Sequence, residues 1–555
     1  MNATWLAAHL SEAERLVDEA VIEGQPCAQW LEERLASSRA RRGRPRGLSV
    51  RTLFVALQLG AFAGKYFLLE LPDLLRPLSP ATRARLGLAR RGEAVTYRQV
   101  CYLASRIDEV LRGDFVRDGD TDQGAIEAGY ADFDRIFSAL ASAGAHQQAR
   151  GIATISVDGS DIPTWGTSSI QREVVWDVDD EGLPRVARDD EGHAVYQRVR
   201  VVSDRDAGWR GSRNDEGKAP HFGYCLTAAV STREEDGPMV PRAVVAARFR
   251  PSTVQDKAMG LACVGEVAAR LGRLGDVLVD RGYTASHNGQ DFLLPVRALG
   301  GEPIFGLTKS QLGPAGTVRG AVIIEGQPYS PSIPRNLLDI VPPAGGEDGV
   351  YKPNPVKLRE YQEAVAARAA YALVPHGSAR ANLAQVFQCP GAAGKLDCPL
   401  QPARKALRPG ALLVMSAPRH PGEDSVCAKA YPTFTAEELP LWQRHLYGSR
   451  EWFSSYSRRS TSVEPFFGTL KDEAGGGVVR GRIRVMGIVK TGLLVAFAVA
   501  STNRRLARAY DRAVAREQTT PRRRPGRPPQ QRTLTYRRLI EDVVASRATS
   551  VALRI

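Results

Sequence analysis

Ala153–Ser160 reads ATISVDGS, a short apolar run carrying β-branched Thr154, Ile155 and Val157 and ending in Asp158, Gly159 and Ser160. Such a run bounded by turn formers predicts a buried strand, closed by Asp158 at its polar end. The texture of the chain changes here. Upstream, to about residue 150, the pattern is helical: Ile126, Tyr130, Phe133, Ile136, Phe137 and Leu140 recur at the spacing of one helical face. Residues 97–111 and 49–62 follow the same rule. Several short helices beside a basic tract fit a DNA-binding domain of helix-turn-helix type, and equally a plain helical bundle.

Downstream, residues 223–232 and 239–249 read as two further strands, 255–271 as a helix, and DVLVD at 276–280 as another short buried strand ending in an acid. Strands followed by helix and strand predict a mixed α/β domain. Residues 166–220 are polar, rich in Asp, Glu, Arg and Gly and without a period, and read as an insertion or mobile loop. Residues 311–430, with many Pro and Gly, read as a second and larger insertion. From Trp442 to about Ala515 the chain turns helical again, and Thr491–Ser501 (TGLLVAFAVAS) predicts a buried helix too short to span a bilayer. The organisation expected is a helical region 1–150, a core 151–310, an insertion 311–430, a returning part of the core 431–510 and a basic tail 511–555.

A chain of 555 residues exceeds what one hydrophobic core usually organises. Its net charge of +14 is uneven: residues 39–51 carry six arginines and no acid, and residues 503–538 carry twelve arginines against two acids. Those tracts hold more than the whole excess, so two basic arms flank a nearly neutral body. No N-terminal stretch has the form of a secretion signal. Seven cysteines in a chain of this length do not form a disulfide framework, which points to a reducing, cytoplasmic setting.

Asp158 (in VDGSD) and Asp280 (in LVDRGY) each stand at a strand end, where α/β sheets expose ligand-binding groups, although an isolated Asp there is usually a turn former. Residues 456–471 read YSRRSTSVEPFFGTLK. Pro465 is compatible only with the first turn of a helix, so Glu464 falls at the helix start with Thr461 or Ser462 as cap. Glu464 and Lys471 then share one face, two turns apart, while Phe466, Phe467 and Leu470 fix the helix to a core. Asp161 is the nearest rival to Asp158, and Asp472 and Glu473 are rivals to Glu464.

Taken in order, VDGSD, the FGY of Phe222–Tyr224, VDRGY and the Tyr456–Lys471 segment resemble the bacterial insertion-sequence transposases with a DDE active site and a Y-R-E-K signature. The resemblance covers roughly residues 150–505, insertions excepted. Arg459 and Glu464 enclose four residues where that family usually has three. It implies an α/β, ribonuclease-H-like core: a mixed sheet flanked by helices, with a helical N-terminal domain and an insertion before the last catalytic helix. Asp158, Asp280 and Glu464 would hold two Mg²⁺ or Mn²⁺ ions, Asp158 bridging them, for phosphodiester cleavage and strand transfer. Arg459 and Lys471 would hold phosphates and Tyr456 would meet the DNA backbone. The implied partners are DNA and a second copy of the chain, with no membrane. A DNA-binding protein that has lost catalysis and a metal-dependent nuclease without strand transfer stand as alternatives.

Two weaker signals remain. RGRPRG at 42–47, with Arg42, Arg44 and Arg46, resembles an AT-hook, and RRRPGRPP at 522–529, with Arg524 and Arg527, is a looser copy. Either is alternatively an Arg-rich linker touching phosphates without sequence choice. Cys389, Cys398, His420 and Cys427 lie close enough in sequence for a structural zinc, although the spacing of the first two exceeds the usual range and buried thiols are the simpler expectation.

Overall fold

The computed structural model describes residues 3–37, 47–88, 95–112, 123–179, 182–211, 220–254, 256–343, 354–377, 379, 382–400, 412–413, 418 and 420–519. Arg42, Arg44 and Arg46, with Arg524 and Arg527, lie outside the described residues. The chain divides into two units, Met1–Ala507 and Arg508–Ile555, and everything below concerns the first.

The longer helices that lead into the sheet are α1 (Ala3–Glu19), α2 (Cys27–Ser37), α3 (Val50–Phe62), α4 (Tyr97–Arg112) and α5 (Gln123–Ser142), with short helical turns at Leu71–Leu75, Pro80–Arg85 and Gln147–Arg150. Ser49 caps α3 as its sequence suggests, its hydroxyl accepting the Thr52 amide. The following strands are β1 (Ile155–Pro163), β2 (Ser168–Val174), β3 (Trp176–Val178), β4 (Pro184–Val186), β5 (Tyr196–Val202), β6 (Gly208–Arg210), β7 (His221–Ser231), β8 (Val244–Pro251), β9 (Asp276–Val279) and β10 (Glu302–Phe305). Later helices are α6 (Asp256–Leu271), α7 (Gln290–Ala298), α8 (Pro355–Arg368), α9 (Arg450–Tyr456), α10 (Val463–Lys471) and α11 (Ile488–Thr519).

The central sheet is mixed, in the order β8-β7-β1-β9-β10, with β6 added along β7. Strands β8, β7 and β1 run antiparallel, whereas β1, β9 and β10 are parallel. The parallel connection β9 to β10 passes through α7, as a crossover requires. Side chains alternate between the two faces of each strand. On one face Tyr224, Leu226, Ala228 and Val230 of β7 pack with Phe133 and Phe137 of α5, Phe466 and Leu470 of α10 and Val495–Ala500 of α11, in one core continuous with α1–α4. On the other, Ile155, Val157, Ala229, Val277 and Val279 pack with Cys263, Val264 and Val267 of α6 and Phe292 and Val296 of α7. Asn503 closes the β8 edge: its Oδ1 accepts the Val244 amide at 2.8 Å and its Nδ2 donates to the Val244 carbonyl at 3.0 Å.

The architecture is thus mixed α/β, as expected, but four local expectations change. Asp158 does not close its strand; β1 runs on to Pro163, with Gly159 and Ser160 paired to Thr227 and Leu226. The strand expected at 239–249 begins only at Val244, since Pro241 lacks an amide donor for the ladder. The stretch from Trp442 to Ala515 is not one helical run: α9, α10 and α11 are separated, and residues 472–487 hold Gly475–Gly477, Gly481 and Gly487, which break it.

Residues 166–220 are not a structureless loop. Strands β2 and β5 pair from Ser168↔Val202 to Val174↔Tyr196, and β3 and β4 continue the ribbon outward. Two turns end it, each on an identical Asp-Asp-Glu-Gly sequence at 179–182 and 189–192. Gly182 and Gly192 supply the left-handed backbone there, φ 78° and 84°. The ribbon is exposed on both faces, so no face was required to be apolar and no period of two could show in the sequence.

Residues 311–430 contain a three-stranded meander between 314 and 329, helix α8, and two small apolar clusters around Phe387 and Tyr329. The longest apolar helical stretch, in α11, is buried in the core, and among the described residues no helix is long and apolar enough to cross a membrane.

Candidate functional site

Register places the first two acids side by side. Ser156 of β1 is the partner of Leu278 of β9. Two residues further along parallel strands, Asp158 and Asp280 follow on the same face. Asp280 stands just past β9, where its Oδ1 accepts the Gly282 amide at 2.9 Å and caps the short helical turn Arg281–Thr284. Asp158 is part-buried, and its Oδ1 accepts the Gly159 amide at 2.9 Å.

The third acid is delivered by α9 and α10. Helix α9 is fixed beside β10 through buried Gln443, whose Oε1 accepts both the Phe305 amide (3.3 Å) and the Trp452 indole N–H (3.2 Å). Arg458, 1% exposed, ties the α9–α10 link to β9 by a 2.5 Å ion pair with Asp276, which also takes two 2.8 Å bonds from Arg444. Val463, Phe466, Phe467 and Leu470 then bury one side of α10 against the sheet and leave Glu464 outward. Ser462 occupies the cap position, but its hydroxyl donates to the carbonyls of Arg458 and Arg459 and caps no amide of the helix.

Arg459 lies at the meeting point. Its Nη2 donates to Asp158 Oδ2 at 2.5 Å and its Nη1 to Glu464 Oε1 at 2.7 Å. One guanidinium therefore joins residues 158 and 464, and Asp280 adds to the charge felt by it. Arg459 Nε is buried with no hydrogen-bond partner. Burial pushes the Asp158 carboxyl up to about 7, an effect Arg459 opposes and neighbouring Asp280 reinforces. Tyr456 stacks on Trp452 at 4.8 Å, and burial raises its phenol to about 12. Asp280, Tyr456 and Arg459 line an open cleft of about 470 Å³ together with Trp452, Phe453 and Tyr361.

Lys471, at the far end of α10, is part-buried, and burial lowers its pKa while Asp161 and Asp158 oppose that. The rivals fall away on position. Asp161, an odd number of residues from Asp158, points to the opposite face, where it pairs with Arg210 at 3.1 Å. Asp472 and Glu473 are exposed beyond the end of α10, and Glu473 pairs with Arg482.

Several further residues stand near the site and were not singled out by the sequence. Arg210 joins Asp161 to Asp256 at the start of α6 (2.5 Å), and Gly159 leaves room there: an added Cβ would stand 3.0 Å from the Asp256 carboxyl carbon. The Tyr283 hydroxyl is buried without a partner, pushed up by burial and by Asp158, Asp256 and Asp280. His221 Nε2 is also buried and unpartnered, near Asp161 and Lys471. Tyr283 closes the VDRGY motif and His221 immediately precedes FGY, whereas Arg210 and Asp256 belong to neither.

The carboxylates offer hard oxygens, which suit a divalent cation, and Asp158, pushed up to about 7 by burial with Asp280 adding to the effect, would be stabilised in its ionised form by one. Among the described residues, however, no three His, Cys, Asp or Glu side chains stand in the close array of a metal's inner sphere, and Arg459 fills the space between Asp158 and Glu464. Cys389, Cys398 and Cys427 line one small cavity with Ser330 and Ser332, while His420 is exposed. Burial pushes the Cys427 thiol up to about 11, with Cys389 and Cys398 adding to the effect.

No protein-family model, curated protein or solved structure matches the chain.

Proposed function

We propose that the chain is a DNA transposase of the DDE class, with a ribonuclease-H-like core, that cuts and joins DNA at the ends of its own element. The observation that carries this reading is the gathering of Asp158, Asp280 and Glu464 around the single cation Arg459, although 121 and 183 residues separate them in sequence. The two arginine-rich tracts, 39–51 and 503–538, support a polyanionic partner.

In this reading Asp158, Asp280 and Glu464 hold two divalent cations, which when bound compensate charge on the attacking and leaving oxygens of phosphodiester cleavage. Arg459 must then leave its carboxylates. Its unpartnered Nε and two terminal amines form the planar fork that suits a phosphate. Lys471, held on the same helix as Glu464, gives the strand a second cationic contact. Tyr456, braced by Trp452, orients the backbone at the cleft wall. Ionised Asp158 is required to hold a cation, so raising pH through about 7 favours the loaded site.

The test is incubation of the purified chain with DNA bearing the flanks of its own gene, Mg²⁺ or Mn²⁺, and a target plasmid. Cleavage and joined product, both lost in Asp158→Asn, Asp280→Asn and Glu464→Gln, are expected. Cleavage without joining would replace the transposase by a nuclease, and binding without cleavage would leave a DNA-binding protein.

A further inference from the structure

Where the N-terminal helices meet the outer edge of the sheet, the turn between α1 and α2, helix α5, edge strand β8 and helix α6 surround an open pocket of about 430 Å³. It shares no lining residue with the cleft beside Asp280. Val21, Ile22 and Ala139 give it an apolar wall, and its charged lining is four arginines against three glutamates. A concave site of this size, with an apolar wall and a few convergent polar groups, is the form that small-molecule sites take.

The three glutamates are already engaged. Glu19 is held by Arg15 and Glu23 by Arg135. Glu266 is held at both oxygens: Oε1 accepts the Ser138 hydroxyl at 2.7 Å, and Oε2 accepts Arg248 Nη1 at 2.7 Å. Arg150 and Arg270 are left over. Part-buried Arg150 donates Nε and Nη2 to the Ala145 and Ser142 carbonyls at 3.3 Å, and the more exposed Arg270 donates Nη1 to the Val245 carbonyl at 2.8 Å. Among the described residues neither forms an ion pair or a further hydrogen bond, so Arg150 Nη1 and Arg270 Nε and Nη2 remain as donors. Burial lowers the pKa of both; for Arg270, Glu266 opposes this and neighbouring Arg150 adds to it. Two neighbouring cations without a bound counter-charge are stabilised by an anion.

We infer that this pocket binds a small phosphomonoester, Arg150 and Arg270 holding the phosphoryl oxygens and Val21, Ile22 and Ala139 covering the apolar part of the molecule. Three free N–H donors on two planar forks match the three terminal oxygens of a phosphomonoester, where a carboxylate offers two. The charged lining has a net of +1, and Glu19 and Glu23 are exposed, which disfavours a polyanion such as DNA and admits a small dianion. Because the lining comes from α1–α2, α5, β8 and α6, an occupant ties the helical layer to the sheet edge and stabilises the folded chain. This inference is independent of the catalytic reading.

Calorimetric titration of the full-length chain with phenyl phosphate, inorganic phosphate and benzoate tests it. Phenyl phosphate is expected to bind, with inorganic phosphate ~10-fold weaker for want of the apolar contact and benzoate weaker than phenyl phosphate. Arg150→Gln and Arg270→Gln should each raise the phenyl phosphate Kd at least ~10-fold. Val21 is 47% exposed, so Val21→Glu adds an acid to the wall at a position the core does not need, and should weaken phenyl phosphate while leaving the ligand-free thermal midpoint unchanged. That variant separates lost affinity from lost folding. A short DNA duplex added as competitor is expected to leave phenyl phosphate bound. No binding of phenyl phosphate, benzoate binding as tightly, affinity that survives all three substitutions, or displacement by the duplex overturns the inference.

Discussion

Arg459 and Asp158, 301 residues apart in sequence, are joined by a 2.5 Å bond from Nη2 to Oδ2, while the same guanidinium binds Glu464. A cation in that position competes with a divalent ion for the same oxygens. Arg459→Ala is therefore expected to tighten Mn²⁺ binding in the absence of DNA, read by calorimetry, and to lower strand cleavage by on the order of 10²-fold. Unchanged Mn²⁺ affinity would show that Arg459 does not occupy the ion's place.

Asp158 titrates far above the ordinary 3.8 because burial disfavours its charge. The folded state thus holds a proton that the unfolded chain releases, and this residue's contribution to stability falls as pH rises from about 4 to about 7. The loss is on the order of 4 kcal/mol. Urea denaturation of the metal-free protein at pH 5 and pH 8 is expected to reveal this component in the wild type and not in Asp158→Asn. An equal pH dependence in both proteins would contradict it.

Among the described residues, Arg458 has one acidic partner, Asp276. Asp276→Ala leaves that buried guanidinium without its counter-charge, with an expected cost of about 3–5 kcal/mol in urea denaturation. Arg458 links α9 and α10 to β9, so cleavage activity should fall further than the unfolded fraction accounts for. Activity that simply follows the folded fraction would restrict the pair to a stabilising role.

Gly223 tests the close approach of β1 and β7. A Cβ there would stand 2.3 Å from the Ile162 carbonyl oxygen and 2.8 Å from the Thr164 amide, both backbone atoms. Gly223→Ala should destabilise the protein by about 1–3 kcal/mol. A neutral result would mean that the strands can part at that point without penalty.

The sequence was most legible where burial is one-sided or complete. Phe133, Ile136, Phe137 and Leu140 have the period of a half-buried helix, and Val277–Val279 reads as a fully buried strand. Glu464 could be located because Pro465 restricts where a helix may start. The ribbon at 168–202 was illegible because neither face is covered within one chain. Arg210, Asp256 and His221 gain significance only through strand register and the facing of α6, which no local pattern encodes. The end of β1 was misread for a related reason: Gly159 and Ser160 look like a turn, but Gly159 is small to leave space for Asp256.

The position of α11 in the core has a consequence for synthesis. Residues 495–500 fill the centre of the helical layer, and Asn503 completes the hydrogen bonds of edge strand β8. A nascent chain still held at residue 480 has neither, although β1, α10 and all three acids have been made. Its N-terminal helices and the sheet face they cover wait for residues 488–503, so this layer completes its core only once that segment has been made. Contacts of such long sequence separation also make that folding slow. A ribosome-stalled chain ending before Ile488 should accordingly remain protease-sensitive across α1–α5.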